Sequence, residues 1–125
     1  MDINKITEVV ISCAYRVHNT LGAGFLEKVY EKAMMIELES TDLSAKPQFP
    51  VPVFYKGIKI GDYYADILVN DCLIVELKTV ENISVAHEKQ LINYLAATNI
   101  ENGLLINFGS SVQIKRKFKT YRPKS

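Results

Sequence analysis

The stretch that decides the fold is YADILVNDCLIVELKT, residues 64–79. Side chains on a strand alternate between its two faces. In the second half of this stretch Glu76 and Lys78 share one face, while Val75 and Leu77 share the other. Charges set into an otherwise apolar strand cost free energy unless they are paired or used. Asp66 sits in the same position on the first half, between Ala65 and Ile67. The loop joining the halves decides whether Asp66 meets Glu76. A two-residue Asn70-Asp71 turn would set Asp66 against Val75 and turn it away. A three-residue loop, Asn70-Asp71-Cys72, would set Asp66 against Glu76 and put all three charges on one face. Three-residue loops are common in hairpins, and Asn and Asp tolerate the left-handed backbone they need. We therefore expect the three-residue loop.

In that register two carboxylates on neighbouring strands suit a hard, oxygen-seeking cation such as Mg²⁺ or Mn²⁺. Such an ion polarises a phosphoryl oxygen and acidifies a bound water. Lys78 is then positioned to orient the water or to steady negative charge on a phosphate. A purely structural Glu–Lys pair on an exposed strand is the alternative reading of Glu76 and Lys78.

Outward from this stretch, Ile3, Ile6, Val10, Cys13 and Val17 recur every three or four residues. They predict an amphipathic helix from Asp2, its N-cap, to Thr20. Gly22-Ala23-Gly24 ends it. A second helix is expected from Phe25 to Ser40, with Leu26, Val29, Ala33 and Ile36 facing inward. Pro47, Pro50 and Pro52 hold the next stretch off a central strand until Val53. Lys56-Gly57 then turns Val53-Phe54-Tyr55 back into a strand from Ile58. Ser84 caps a third helix running to Thr98, with Leu91, Ile92, Leu95 and Ala96 as its apolar stripe. Leu104-Leu105-Ile106 and Val112 to Phe118 complete the strands. The order α-α-β-β-β-α-β-β predicts an α/β (α+β) fold, a central mixed β-sheet flanked by helices.

Gln90 and Tyr94 are four apart, so they share a face of the third helix, which follows the Glu76/Lys78 strand. Glu27 falls in the first turn of the second helix and Tyr30 one turn on. Glu27 could simply complement the helix dipole, and Tyr30 could simply pack. His87 shares the face of Gln90 and Tyr94 and is a candidate general base, although Lys78 and a metal already account for water activation.

Taken together these residues resemble the PD-(D/E)XK nuclease superfamily. Within it they resemble the small GxxExxY family, whose signature stands here as Gly24-Phe25-Leu26-Glu27-Lys28-Val29-Tyr30. The superfamily's acidic helix residue matches Glu27, its strand aspartate Asp66, its E-x-K Glu76-Leu77-Lys78, and the Q-x-x-x-Y of RecB-type nucleases Gln90 to Tyr94. The resemblance runs from the first helix to the last strand and implies the restriction-endonuclease fold. It also implies a metal held by Asp66, Glu76 and the Leu77 carbonyl, with Glu27 as an outer or additional ligand. Lys78 would stand near the attacking water, with Gln90 and Tyr94 orienting their neighbours. No proline directly precedes Asp66; Ala65 stands there, as in many divergent members, and the iron–sulfur cysteines of some RecB-type nucleases are missing, so no cluster is expected. The implied activity is Mg²⁺- or Mn²⁺-dependent hydrolysis of phosphodiester bonds, in DNA before RNA. Since superfamily members also bind or scaffold without cutting, a non-catalytic module for nucleic acid or protein is the second reading.

The 125 residues are one domain's length and can bury a core unaided. Hydrophobic residues make up 48%, charged residues 23%, and the net charge is +1, so overall charge selects no partner. The distribution is more telling: Lys115, Arg116, Lys117, Lys119, Arg122 and Lys124 have no acidic residue among them. This run is a candidate phosphate-binding surface, or else a solvated strand edge and terminus. Cys13 and Cys72 lack zinc or CxxC spacing and read as free thiols in a reducing, cytoplasmic compartment. No signal peptide or membrane span is expected. A homodimer or a protein partner, through a sheet edge or the first helix, is left open.

Overall fold

The structure, a computed structural model, describes residues 1–120. Helix α1 (Ile3–Leu21) is capped by Asp2, whose side chain accepts the Lys5 N–H at 3.0 Å. Helix α2 spans Glu27–Glu39 and α3 spans Val85–Thr98. The strands are β1 (Ala45–Tyr55), β2 (Ile58–Val69), β3 (Leu73–Lys78), β4 (Asn102–Phe108) and β5 (Val112–Phe118). They form one sheet in the order β1-β2-β3-β4-β5, and only the β3–β4 pair is parallel. A parallel neighbour requires a crossover, and α3 supplies it. Among the described residues no helix is long and apolar enough to cross a membrane.

The helices divide between the faces of the sheet. Ile6, Val10, Cys13 and Val17 of α1 and Tyr30, Met34 and Leu38 of α2 pack on Ile67, Val75, Leu77 and Ile106. On the other face, Leu91 and Leu95 of α3 pack on Leu68, Ile74 and Leu105. Strand β3 is therefore covered on both sides, and its first five residues are all buried. Each such aliphatic side chain contributes about 1.5–3 kcal/mol of burial, so the strand that carries Glu76 and Lys78 is held firmly.

The β2–β3 connection is the expected three-residue loop. Val69 pairs with Leu73, Leu68 with Ile74 and Ile67 with Val75. Asn70 and Asp71 both take the left-handed conformation, at φ 50° and 54°.

Three local expectations are corrected. Strand β1 begins at Ala45, well before Val53, because it is an edge strand and an edge accommodates the prolines. On α2 the buried stripe is Tyr30, Met34 and Leu38; Leu26, Val29 and Ile36 are exposed and Ala33 is half-buried. The Tyr30 ring stacks on Phe108 with centroids 4.5 Å apart, and this large side chain fixes the rotation of the helix. On α3 the stripe is Leu91, Tyr94 and Leu95, with Ile92 half-buried and Ala96 exposed. Tyr94 turns inward over the sheet, which carries Ala96 out to solvent.

Candidate active site

Beyond the Ile67–Val75 pair the β2–β3 ladder gives way to side chains. The Asp66 N–H donates to Glu76 Oε1 at 2.8 Å, and the Leu77 N–H donates to Asp66 Oδ2 at 2.7 Å. Each carboxylate thus accepts a backbone donor from the other's strand. Asp66 Oδ1 and Glu76 Oε2 take no hydrogen bond from the described residues. Asp66 and Glu76 therefore share one small space, as the three-residue loop requires.

That space disfavours two negative charges. Burial pushes the Glu76 carboxyl up to about 8, repulsion from Asp66 adds to it, and Glu27 contributes further. Burial likewise raises Asp66 to about 6, with Glu31 and Glu27 pushing the same way and the Leu77 N–H and Lys78 pulling it down. Glu76 is only 5% exposed. Two crowded carboxylates with unused oxygens match the chemistry of a divalent cation that keeps its remaining positions for water and phosphate. Among the described residues no three Asp, Glu, His or Cys side chains come together to hold a metal, so Glu27 stands outside the Asp66–Glu76 pair; Mg²⁺ is commonly held by one or two carboxylates.

Lys78 extends the site toward α3. Its Nζ donates to Gln90 Oε1 at 3.3 Å, and Gln90 Nε2 donates to the Tyr94 hydroxyl at 3.4 Å. The Tyr94 phenol is pushed up by burial and by the charges of Glu76 and Asp66. The helix start is fixed by Ser84, which accepts the His87 N–H at 3.2 Å while His87 Nδ1 accepts the Ser84 N–H at 3.1 Å. His87 is thereby committed to the cap rather than to the carboxylates.

The Gly24–Tyr30 segment also has a local logic. Gly24 sits at φ 109°, a backbone that a side chain would strain. The Tyr30 hydroxyl donates to Gly22 O at 2.6 Å and accepts the Phe25 N–H at 3.4 Å, pinning the loop before α2. Glu27 then opens α2 exposed, near enough for its charge to act on both Asp66 and Glu76.

Three residues at or near the site were not expected from the sequence. Glu31 lies one turn after Glu27 and is 7% exposed; Lys28 reaches it at 3.2 Å and Gln48 Nε2 donates to it. Its spacing from Glu27 is a usable signal, but only once the rotation of α2 is known. Gln48 sits at φ 52° between the Pro47–Ile67 and Phe49–Ala65 pairs, hence opposite Asp66; nothing in the sequence marks it. Asn107 is fully buried at the end of β4. Its side chain accepts the Val80 N–H at 2.9 Å and donates to Val80 O at 2.8 Å, so it anchors the chain just past Lys78.

The basic residues of β5 divide between its two faces. Arg116 turns to α1, donating to Asn4 and Thr7, while Lys117 pairs with Glu88 of α3. Lys119 donates to Asn99, and Lys115 is exposed on the face of Lys117. Arg122 and Lys124 lie outside the described residues.

A family model described as the PD-(D/E)XK nuclease superfamily matches residues 4–120. Among solved structures, the crystal structure of SSO0001 is similar with a TM-score of 0.60 at 18% identity, over 95% of this chain and 60% of that one. The alkaline exonuclease LHK-Exo from Laribacter hongkongensis is similar with a TM-score of 0.56 at 12% identity, over 94% of this chain and 69% of that one. At these identities the likeness is one of fold, and the chain spans about three fifths of the length of SSO0001. No curated protein sequence matches the chain.

Proposed function

The chain belongs to the PD-(D/E)XK nuclease superfamily, and on that premise we propose that it is a divalent-metal-dependent nuclease that hydrolyses phosphodiester bonds, in DNA before RNA. The observation that carries the reading is the reciprocal contact of Asp66 and Glu76, two carboxylates whose burial and crowding call for a cation. They would hold Mg²⁺ or Mn²⁺; the superfamily resemblance adds the Leu77 carbonyl, with Glu27 as an outer ligand. When bound, the ion supplies Lewis acidity to a phosphoryl oxygen and a more acidic water. Lys78, held by Gln90, presents its ammonium beside the carboxylates, where it can orient that water and offset charge on the phosphate. Gln90 and Tyr94 position Lys78 in turn. Glu31, held by Gln48, adds a further negative charge near Asp66, a supporting role of the kind that tunes metal sites.

The Gly24–Tyr30 segment supports placement in the GxxExxY family. Its signature residues play separate parts, with Gly24 in the loop backbone, Glu27 at the rim of the carboxylates and Tyr30 as anchor. Two free thiols, Cys13 and Cys72, suit a reducing cytoplasm.

The test is cleavage of single-stranded, duplex and branched DNA and of RNA with Mg²⁺ or Mn²⁺, run beside Asp66→Ala and a chelator. Cutting by the wild type that both controls abolish, with Asp66→Ala still folded, is the expected result. Equal cutting by a clean Asp66→Ala protein sinks the assignment. Metal-loaded, folded protein that binds nucleic acid without cutting it favours the binding-module reading.

A further inference from the structure

The β1–β2 hairpin projects a set of aromatic side chains into solvent. Phe54 is 60% exposed and Tyr63 is 50% exposed. Between the hairpin and α3 lies an open groove of about 810 Å³, with Phe54 and Tyr63 on its hairpin side and Ala86, Lys89, Gln90 and Tyr94 on its helix side. A shift of register between Val53 and Phe54 lets both of these consecutive residues face the groove. Gln90 and Tyr94 are also the end of the chain of hydrogen bonds from Lys78. The groove therefore borders the carboxylate site, with Gln90 and Tyr94 as the shared residues.

We propose that this groove receives the unpaired bases of a single-stranded nucleic acid, stacked on Phe54 and Tyr63, and leads the strand to Asp66, Glu76 and Lys78. The inference rests on the nuclease reading of that site and adds the class of strand it takes. Its physical basis is the geometry of bases. In a duplex each base face is covered by its neighbours and only edges are presented, whereas an unpaired base offers its whole face to an aromatic ring. Phe54 and Tyr63 offer rings, and the Tyr63 ring lies 6.2 Å from that of Tyr94, so the aromatic wall continues inward. Lys89 supplies a cation at the groove for the backbone phosphates, and Ala86 keeps the helix wall low enough for planar groups. Stacking of this kind tolerates any base sequence.

The test is binding without cutting. Fluorescence anisotropy is measured in chelator with labelled oligo-dT, oligo-rU and a blunt DNA duplex of matched length, for wild type, Phe54→Ala, Phe54→Leu and Tyr63→Ala. The wild type should prefer a single strand to the duplex, and the tighter of the two single strands identifies the backbone. Each alanine variant should weaken single-strand binding by about 5- to 100-fold and duplex binding by less than about twofold. A fluorescent adenine analogue in the strand should be quenched by the wild type and not by Phe54→Ala. Phe54→Leu keeps an apolar side chain without a ring and should behave like Phe54→Ala. Wild-type affinity in Phe54→Leu, an equal loss on duplex and single strand, or no binding by the wild type each overturns the proposal. Cleavage of the same probes with Mn²⁺ separates the two readings. Cutting that needs Asp66 but ignores Phe54 removes only the groove, while stacking without Asp66-dependent cutting removes only the nuclease.

Discussion

Strands β3 and β5 both carry charged residues, yet they treat their charges in opposite ways. Strand β3 is central and covered by helices on both faces, so Glu76 is buried against Asp66 and its proton is held tightly. Strand β5 is an edge, and its cations disperse: Arg116 goes to Asn4 and Thr7 on one face, Lys117 to Glu88 on the other. Even the sign of the effect on a carboxyl group differs. Burial raises Glu76, whereas the hydrogen bond from Lys117 lowers Glu88. What distinguishes a reactive cluster from a solvated one is therefore the cover above the strand rather than the charge along it. Exposed charges are screened by water and salt, and buried ones are not.

The sharpest way to break this comparison is to remove one lysine from each strand. Lys78→Ala should reduce metal-dependent cleavage by at least about 100-fold, the scale of losing a positioned group in a water-poor site. Lys115→Ala should stay within about threefold of the wild type. Neither lysine supports the core, so thermal unfolding should confirm that both variants fold. Comparable losses from the two variants would mean that β5 belongs to the reactive cluster.

A smaller effect is expected in stability against pH. Asp66 and Glu76 hold protons more tightly when folded than an ordinary carboxyl does when unfolded, near 4. Between about pH 4 and 8 the native state therefore binds more protons than the unfolded state, and linkage makes stability fall as pH rises. Metal-free protein should lose at least about 1 kcal/mol between pH 5 and pH 8, or roughly 4 °C in Tm. Glu76→Gln should flatten that slope, and Mn²⁺ at pH 8 should restore stability by neutralising the pair. A metal-free wild type whose slope matches that of Glu76→Gln would show that the carboxylates are not crowded.

Much of this was legible because it is local. Asp2 and Ser84 cap α1 and α3 as their side chains predict, and the Asn70-Asp71-Cys72 loop sets the register that brings Asp66 to Glu76. The Gln90–Tyr94 spacing likewise survives as a hydrogen bond. What escaped was decided by distant contacts. The rotation of α2 depends on Tyr30 meeting Phe108 across the core, and an error of one stripe there hid Glu31. The place of Gln48 depends on how an edge strand with several prolines pairs with β2. The β5 cations read in the sequence as one basic run, and what divides them, Asn4 for Arg116 and Glu88 for Lys117, comes from helices far away in the chain.

The smallest expected effect tests those partners. Suppose β5 adds a phosphate-tracking contact beside the reactive site, as its basic run suggests. The cation available for it is then Lys115, which is exposed, whereas Arg116 is tied to α1. Removing one phosphate contact lowers the slope of log affinity against log salt by about one, and lowers affinity alike for all sequences. Lys115→Ala should therefore weaken nucleic-acid binding by about two- to threefold at moderate salt. Arg116→Ala should change binding less and Tm more, because it releases a tie between the edge strand and α1. The reverse pattern, with Arg116→Ala costing affinity and salt dependence while Tm holds, would mean that the guanidinium leaves Asn4 and Thr7 for phosphate. The two faces of β5 would then act as one surface, and the contrast between β3 and β5 would be one of degree.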